Sequence, residues 1–224
     1  MRIVIAGGHG KIALLLGALA AARGDEVVGL VRNPAHAPDL EAAGVRAVVR
    51  DLESAGPAEV AADLAGADAV VFAAGAGPGS GAPRKDSVDR AAAVLLADAA
   101  EAAGVRSYLL ISSVGVDRVR DGALPEGVEE VFVAYLRAKL AAEEDLLSRD
   151  GLRVSVLRPA GLLDEPGTGR VRLDPAVDSG RVPRADVAAV CLGLLDRLVA
   201  GDAPAAVLGL EGGDVPVAEA VAAA

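Results

Sequence analysis

The chain has no tryptophan and only two phenylalanines and two tyrosines among 224 residues, a scarcity that argues against binding nucleic acid by base stacking. Its one cysteine, Cys191, excludes an intrachain disulfide framework. With His9 and His36 the only histidines, the ligands for a zinc cluster are missing as well. Basic residues number 22 against 32 acidic ones, a formal charge of −10, so no general attraction to phosphate backbones or anionic membranes is expected. No run is long and uncharged enough to span a bilayer. The opening MRIVIAG lacks the basic region, apolar run and cleavage site of a signal peptide, and a reducing cytoplasm is the expected location.

What the chain has is alternation. Short β-rich runs at 2–6, 26–31, 45–50, 69–73, 107–112 and 153–158 are separated by Ala/Leu-rich segments predicted helical over 11–23, 34–43, 57–64, 88–103 and 128–148. Gly24, Gly44, Gly66, Gly104 and Gly151 stand where helices should end. The pattern predicts an α/β, Rossmann-type doubly wound parallel sheet with helices on both faces. One domain over 1–224 is expected, with 159–224 forming a small substrate-side region that includes a helix over 185–200 and a strand near 205–210.

The first strand runs into Gly7-Gly8-His9-Gly10-Lys11-Ile12-Ala13, a G-x-x-G-x-x-A spacing at a strand-to-helix turn. Glycines there permit close backbone approach, and helix N-terminal amides attract an anion, so the loop is expected to hold the pyrophosphate of a dinucleotide. At the end of the second strand, where an NAD site usually carries an acid, the sequence reads Val31-Arg32-Asn33. Arg32 there can fork onto a 2′-phosphate, which points to NADP rather than NAD; the alternative is a solvated strand-end arginine. Asp51, beside Leu52, is placed to meet an adenine or to cap a helix.

Only three lysines, Lys11, Lys85 and Lys139, occur against nineteen arginines, and all three fall beside the expected cleft. Tyr135 and Lys139 are four residues apart on one helix face, a spacing suited to a phenol that exchanges a proton beside an ammonium and an oxidised nicotinamide that would favour phenolate. Ser112 and Ser113 close the fifth strand, where a hydroxyl can meet a substrate carbonyl, although serines also end strands for turn reasons. His9 reads as a loop residue near the phosphates, His36 as a solvated helix residue, and Cys191 as a buried small hydrophobe.

Together GGHGKIA, VRNP, VVFAAGAG, LLISSVGV, YLRAK, LRPAGLLDEPGTGRV and VPRADVA resemble the short-chain dehydrogenase/reductase superfamily. The likeness is to its atypical and extended side, which includes small proteins similar to sugar-nucleotide epimerases and biliverdin/flavin reductases. The resemblance implies Gly7, Gly10 and Ala13 at the phosphates, Arg32 at the 2′-phosphate, Asp51 and Leu52 at the adenine, and Ala73, Ala74 and Gly75 beside the ribose. It further implies a catalytic set of Ser112 or Ser113, Tyr135 and Lys139, with Lys139 also anchoring the nicotinamide ribose and Arg158 and Pro159 near the nicotinamide. Fewer than seventy residues follow Pro159, less than a bulky nucleotide-sugar site of that superfamily uses. The expected activity is hydride transfer to or from a small carbonyl or alcohol, or epimerase-like chemistry, by a monomer or homodimer. A non-catalytic sensor of NADP(H) is the alternative.

Overall fold

The computed structural model describes residues 1–77, 79–124, 127–202, 204 and 206–224. Its strands are β1 (Arg2–Ala6), β2 (Glu26–Val31), β3 (Arg46–Val49), β4 (Ala69–Phe72), β5 (Ser107–Ile111), β6 (Arg153–Pro159), β7 (Gly161–Leu163), β8 (Arg170–Asp174), β9 (Arg181–Pro183), β10 (Val207–Gly212) and β11 (Val215–Pro216). The helices are α1 (Lys11–Ala22), α2 (Ala37–Ala42), α3 (Pro57–Asp63), α4 (Ala82–Arg84), α5 (Ala92–Ala103), α6 (Glu130–Leu147), α7 (Arg184–Ala200) and α8 (Val217–Ala223).

Nine strands form one sheet in the order β11-β8-β10-β6-β5-β4-β1-β2-β3. From β3 to β10 all neighbours are parallel, as expected of a doubly wound Rossmann-type sheet. The central strands β1, β4 and β5 are buried on both faces. Ile3 and Ile5 of β1 pack with Leu16 of α1 and Leu194 of α7, whereas the intervening Val4 joins Val60 of α3, Leu96 of α5 and Leu146 of α6. This is the period-two alternation of a pleated strand, with apolar residues at every position from Ile3 to Ala6. Cys191 lies wholly buried in α7, where loss of water pushes its thiol up to about 12.

Three expectations needed correction. The margin of the sheet is not parallel: β8 runs antiparallel to β10, and β11 antiparallel to β8. The helix expected over 88–103 starts earlier and passes through a π-helical segment, Lys85–Ala91, before α5 begins. Gly24, Gly44, Gly66 and Gly104 take positive φ but Gly151 does not, because α6 ends at Leu147 and the Ser148 hydroxyl donates back to the Asp145 carbonyl at 2.7 Å. The strand near 205–210 is β10; Ala205 lies outside the described residues.

Candidate functional site

The parallel strands point their C-terminal ends at one edge, and two adjoining cavities open there. The first, about 520 Å³, lies over the glycine loop between the ends of β1, β2, β3 and β4. Gly7 sits at φ +79°, and a Cβ on it would come within 2.6 Å of the Ala74 backbone; one on Gly8 would meet the Gly29 backbone at 2.7 Å. Side chains at either position would fill the space or force the turn open. The Gly8 amide is used by the Leu30 carbonyl at 3.0 Å and the Gly10 amide by the Gly7 carbonyl at 2.9 Å. Helix geometry leaves the amides of Lys11, Ile12 and Ala13, the first turn of α1, without intrahelical acceptors and aligned with the positive end of the dipole. This cradle fits a pyrophosphate.

Ala73, Ala74 and Gly75 form the opposite wall, and Asp51, Leu52, Arg32 and Asn33 the far end. Asp51 caps no helix: its carboxylate accepts from the Glu53 amide at 3.0 Å, a local turn, and α3 begins only at Pro57. Arg32 is exposed, with its guanidinium 3.1 Å from Glu53. Glu53 also takes Arg84 at 3.0 Å and Ser87 at 2.7 Å, and the Arg84 hydrogen bond foremost, then that of Ser87, holds its carboxyl below the usual range. His36 is not simply solvated. Its ring stacks on His9 with centroids 3.6 Å apart, His9 bonds Asp39 at 2.8 Å, and both rings line the cleft. Lys11 points away, pairing with Asp164 at 2.7 Å, which also takes Arg184.

The second cavity, about 920 Å³, begins at Gly75, which lines both, and runs between the π-helical segment, the end of β5 and the start of α6. Tyr135, Ser113, Lys85, Asp89 and Pro159 contribute to its wall. Tyr135 and Lys139 share a helix face but not a depth. The Lys139 side chain is 4% exposed; its ammonium donates to the Ile111 carbonyl at 3.1 Å and lies 3.4 Å from Asp89. Burial lowers the affinity of Lys139 for its proton, with Asp89 pulling the other way. Tyr135 does not behave as expected from its spacing: burial first, then Asp89, push the phenol up to about 12, against a lowering by the Ser113 hydroxyl beside it. The ammonium that was to stabilise phenolate is spent on a carboxylate.

Asp89, the fully buried partner, was not anticipated. One of its oxygens accepts from the Ala76 amide at 3.2 Å, while the other has no hydrogen bond. A signal was available, since Asp89 is an acid on the apolar stripe of Val88, Ala92, Ala93 and Leu96. Ser112 and Ser113 both line the second cavity but differ in their partners. The Ser112 hydroxyl donates to Glu143 at 2.5 Å, whereas the Ser113 hydroxyl donates to the Val114 carbonyl at 3.0 Å and lies near the phenol. Arg158 also departs from expectation, because its guanidinium is bound by Glu143 and Asp117 and lines neither cavity. Adjacent strand residues face opposite sides, so Pro159 reaches the cavity and Arg158 cannot.

A dinucleotide cradle joined to a second cavity at a parallel sheet's C-terminal edge is the arrangement that comparison with known proteins bears on. Residues 7–197 match the family model described as NAD(P)H-binding. The chain belongs to this family. It is 32% identical over 222 residues to the uncharacterized sugar epimerase YhfK of Bacillus subtilis, with 99% of each chain covered. A solved Bacillus halodurans structure, provisionally named an NAD-dependent epimerase/dehydratase, superposes with a TM-score of 0.87 at 32% identity over the whole of both chains. The anaerobilin reductase ChuY of Escherichia coli O157:H7 superposes with a TM-score of 0.76 at 28% identity, covering 96% of this chain and 98% of its own.

These relatives place the chain on the epimerase-like and reductase-like branch to which its motifs pointed. As a family member it takes a nicotinamide cofactor, and the glycine-loop cleft is the part of the structure that fits one. Among the described residues no helix is long and apolar enough to cross a membrane.

Proposed function

We propose that this protein is an NADP(H)-dependent oxidoreductase acting on a small carbonyl or alcohol, with Tyr135 exchanging the proton. The observation that carries the reading is the meeting of the two cavities at Gly75, which puts Tyr135 and Ser113 next to the end of the dinucleotide cleft. Bound there, the nicotinamide would supply or take the hydride; orientation and the proton are the protein's share.

The amides of Lys11, Ile12 and Ala13 hold the pyrophosphate, with Gly7, Gly8 and Gly10 making room. Ala73, Ala74 and Gly75 flank a ribose, Asp51 and Leu52 border the adenine, and Pro159 closes the nicotinamide end. Arg32 supports NADP over NAD: exposed and held only at 3.1 Å by Glu53, it can turn to fork a 2′-phosphate, beside the His9 and His36 rings. In the substrate cavity the Ser113 hydroxyl turns from the Val114 carbonyl to donate to the substrate's carbonyl oxygen, and Tyr135 protonates that oxygen. Lys139 and Asp89 act as positioning residues, tying α6 to the Ile111 carbonyl and to the Ala76 turn.

The height of the Tyr135 phenol, about 12, sets a pH dependence. Carbonyl reduction uses the protonated form, present throughout the neutral range, so its rate should be flat with respect to this group. Alcohol oxidation needs phenolate, whose fraction grows about tenfold per pH unit below the phenol's value, so that rate should climb accordingly. A screen of small aldehydes and their alcohols with NADPH and NADP⁺, followed across the range, checks this. Opposite slopes in the two directions, or no net cofactor consumption with any of them, would count against the reading; the second result would favour an epimerase.

A further inference from the structure

The charged side chains that line the substrate cavity are not equally partnered. Asp89, at its inner wall, is matched by Lys139 at 3.4 Å. Around the rim Arg184 is paired with Asp164 at 2.5 Å, and Arg118, Glu129 and Asp178 are exposed, where water and salt screen them. Lys85 is left over. It is 8% exposed, and its ammonium lies 5.5 Å from the centre of the Tyr135 ring. Its protein partner is the Gly77 carbonyl at 2.9 Å, and it forms no ion pair with any of the described residues.

An ammonium has three donors, and a cation held away from bulk water without a counter-ion is costly. The local backbone is shaped to put it there. The π-helical segment begins at Lys85 and contains Asp89, and both residues reach the same cavity wall. Such wide turns concentrate at functional sites. In a chain with ten excess negative charges, an anion has to be bound by a particular side chain rather than by a general field, and Lys85 is the uncompensated one beside the phenol.

We propose that the cavity takes a substrate bearing an anionic group, carboxylate or phosphate, close to its reacting carbonyl, and that Lys85 binds that group. This rests on the oxidoreductase reading above. A lysine that merely pinned the Gly77 turn would leave the cavity indifferent to ligand charge.

The test is equilibrium binding, which needs no turnover. Benzoate, phenylphosphonate and the neutral isostere benzamide are titrated by NMR into the full chain, with and without saturating NADP⁺. At least one anion is expected to bind tenfold or more tighter than benzamide, and which of the two leads distinguishes a carboxylate from a phosphate substrate. Lys85→Gln should reduce that preference to about twofold or less, and Lys85→Arg should retain most of it. Equal affinity of the wild-type chain for charged and neutral probes, or no binding of either, overturns the proposal without reference to any variant. So does a preference that survives in a folded Lys85→Gln protein. A charge preference that stands while no carbonyl compound is reduced would instead overturn the oxidoreductase reading and leave the anion site in place.

Discussion

Tyr135→Phe is expected to lower kcat by about 10²- to 10⁴-fold, the usual contribution of a positioned general acid, while leaving the NADPH dissociation constant unchanged. The substitution removes one oxygen from a half-buried ring that packs against Phe132, with centroids 5.6 Å apart. The helix and the cavity wall should therefore persist. Steady-state kinetics with the best carbonyl from the screen, together with cofactor titration, separate the two effects. Retained turnover would remove Tyr135 from the chemistry; lost cofactor affinity would mean that the ring shapes the cleft.

The second large effect concerns stability. Lys139→Met should destabilise the fold by about 3–5 kcal/mol, because it strands a buried carboxylate without its counter-ion. Asp89 is 0% exposed and one of its oxygens has no hydrogen bond, so the ammonium at 3.4 Å is what compensates its charge. Adding Asp89→Asn to the same chain should recover a large part of the loss. Denaturant unfolding of the two single variants, the double variant and the parent gives the coupling directly. A cost under about 1 kcal/mol for Lys139→Met, within the range of surface ion pairs, would show that the pair is not a buried one.

These two residues also mark how far the sequence could be read. Strands β1, β2, β4, β5 and β6 were visible because strands largely buried on both faces read as runs rich in Val, Ile, Leu and Ala. The later strands β7, β8, β9 and β11 were not, being two to five residues long and mixing glycine, arginine and aspartate. Strands so short depend on a paired neighbour rather than on local pattern. The glycine loop was legible because its chemistry is local: backbone space and helix amides lie within seven consecutive residues.

Side-chain direction was the weaker signal. A four-residue spacing placed Tyr135 and Lys139 on one helix face, but depth decided that the ammonium would reach under the end of β5 and meet Asp89. Alternation along β6 already implied that Arg158 and Pro159 could not both face the cleft. Glu53 carried no local mark at all, since its partners Arg32 and Arg84 are 21 and 31 residues away in sequence.

The central claim is a cofactor site over Gly7 to Ala13 that reads a 2′-phosphate through Arg32, and calorimetric titration with NADPH and NADH tests it most directly. NADPH should bind at least tenfold tighter than NADH, and Arg32→Ala should erase the difference without weakening NADH. Binding of neither nucleotide, or a preference for NADPH that Arg32→Ala leaves intact, would contradict it.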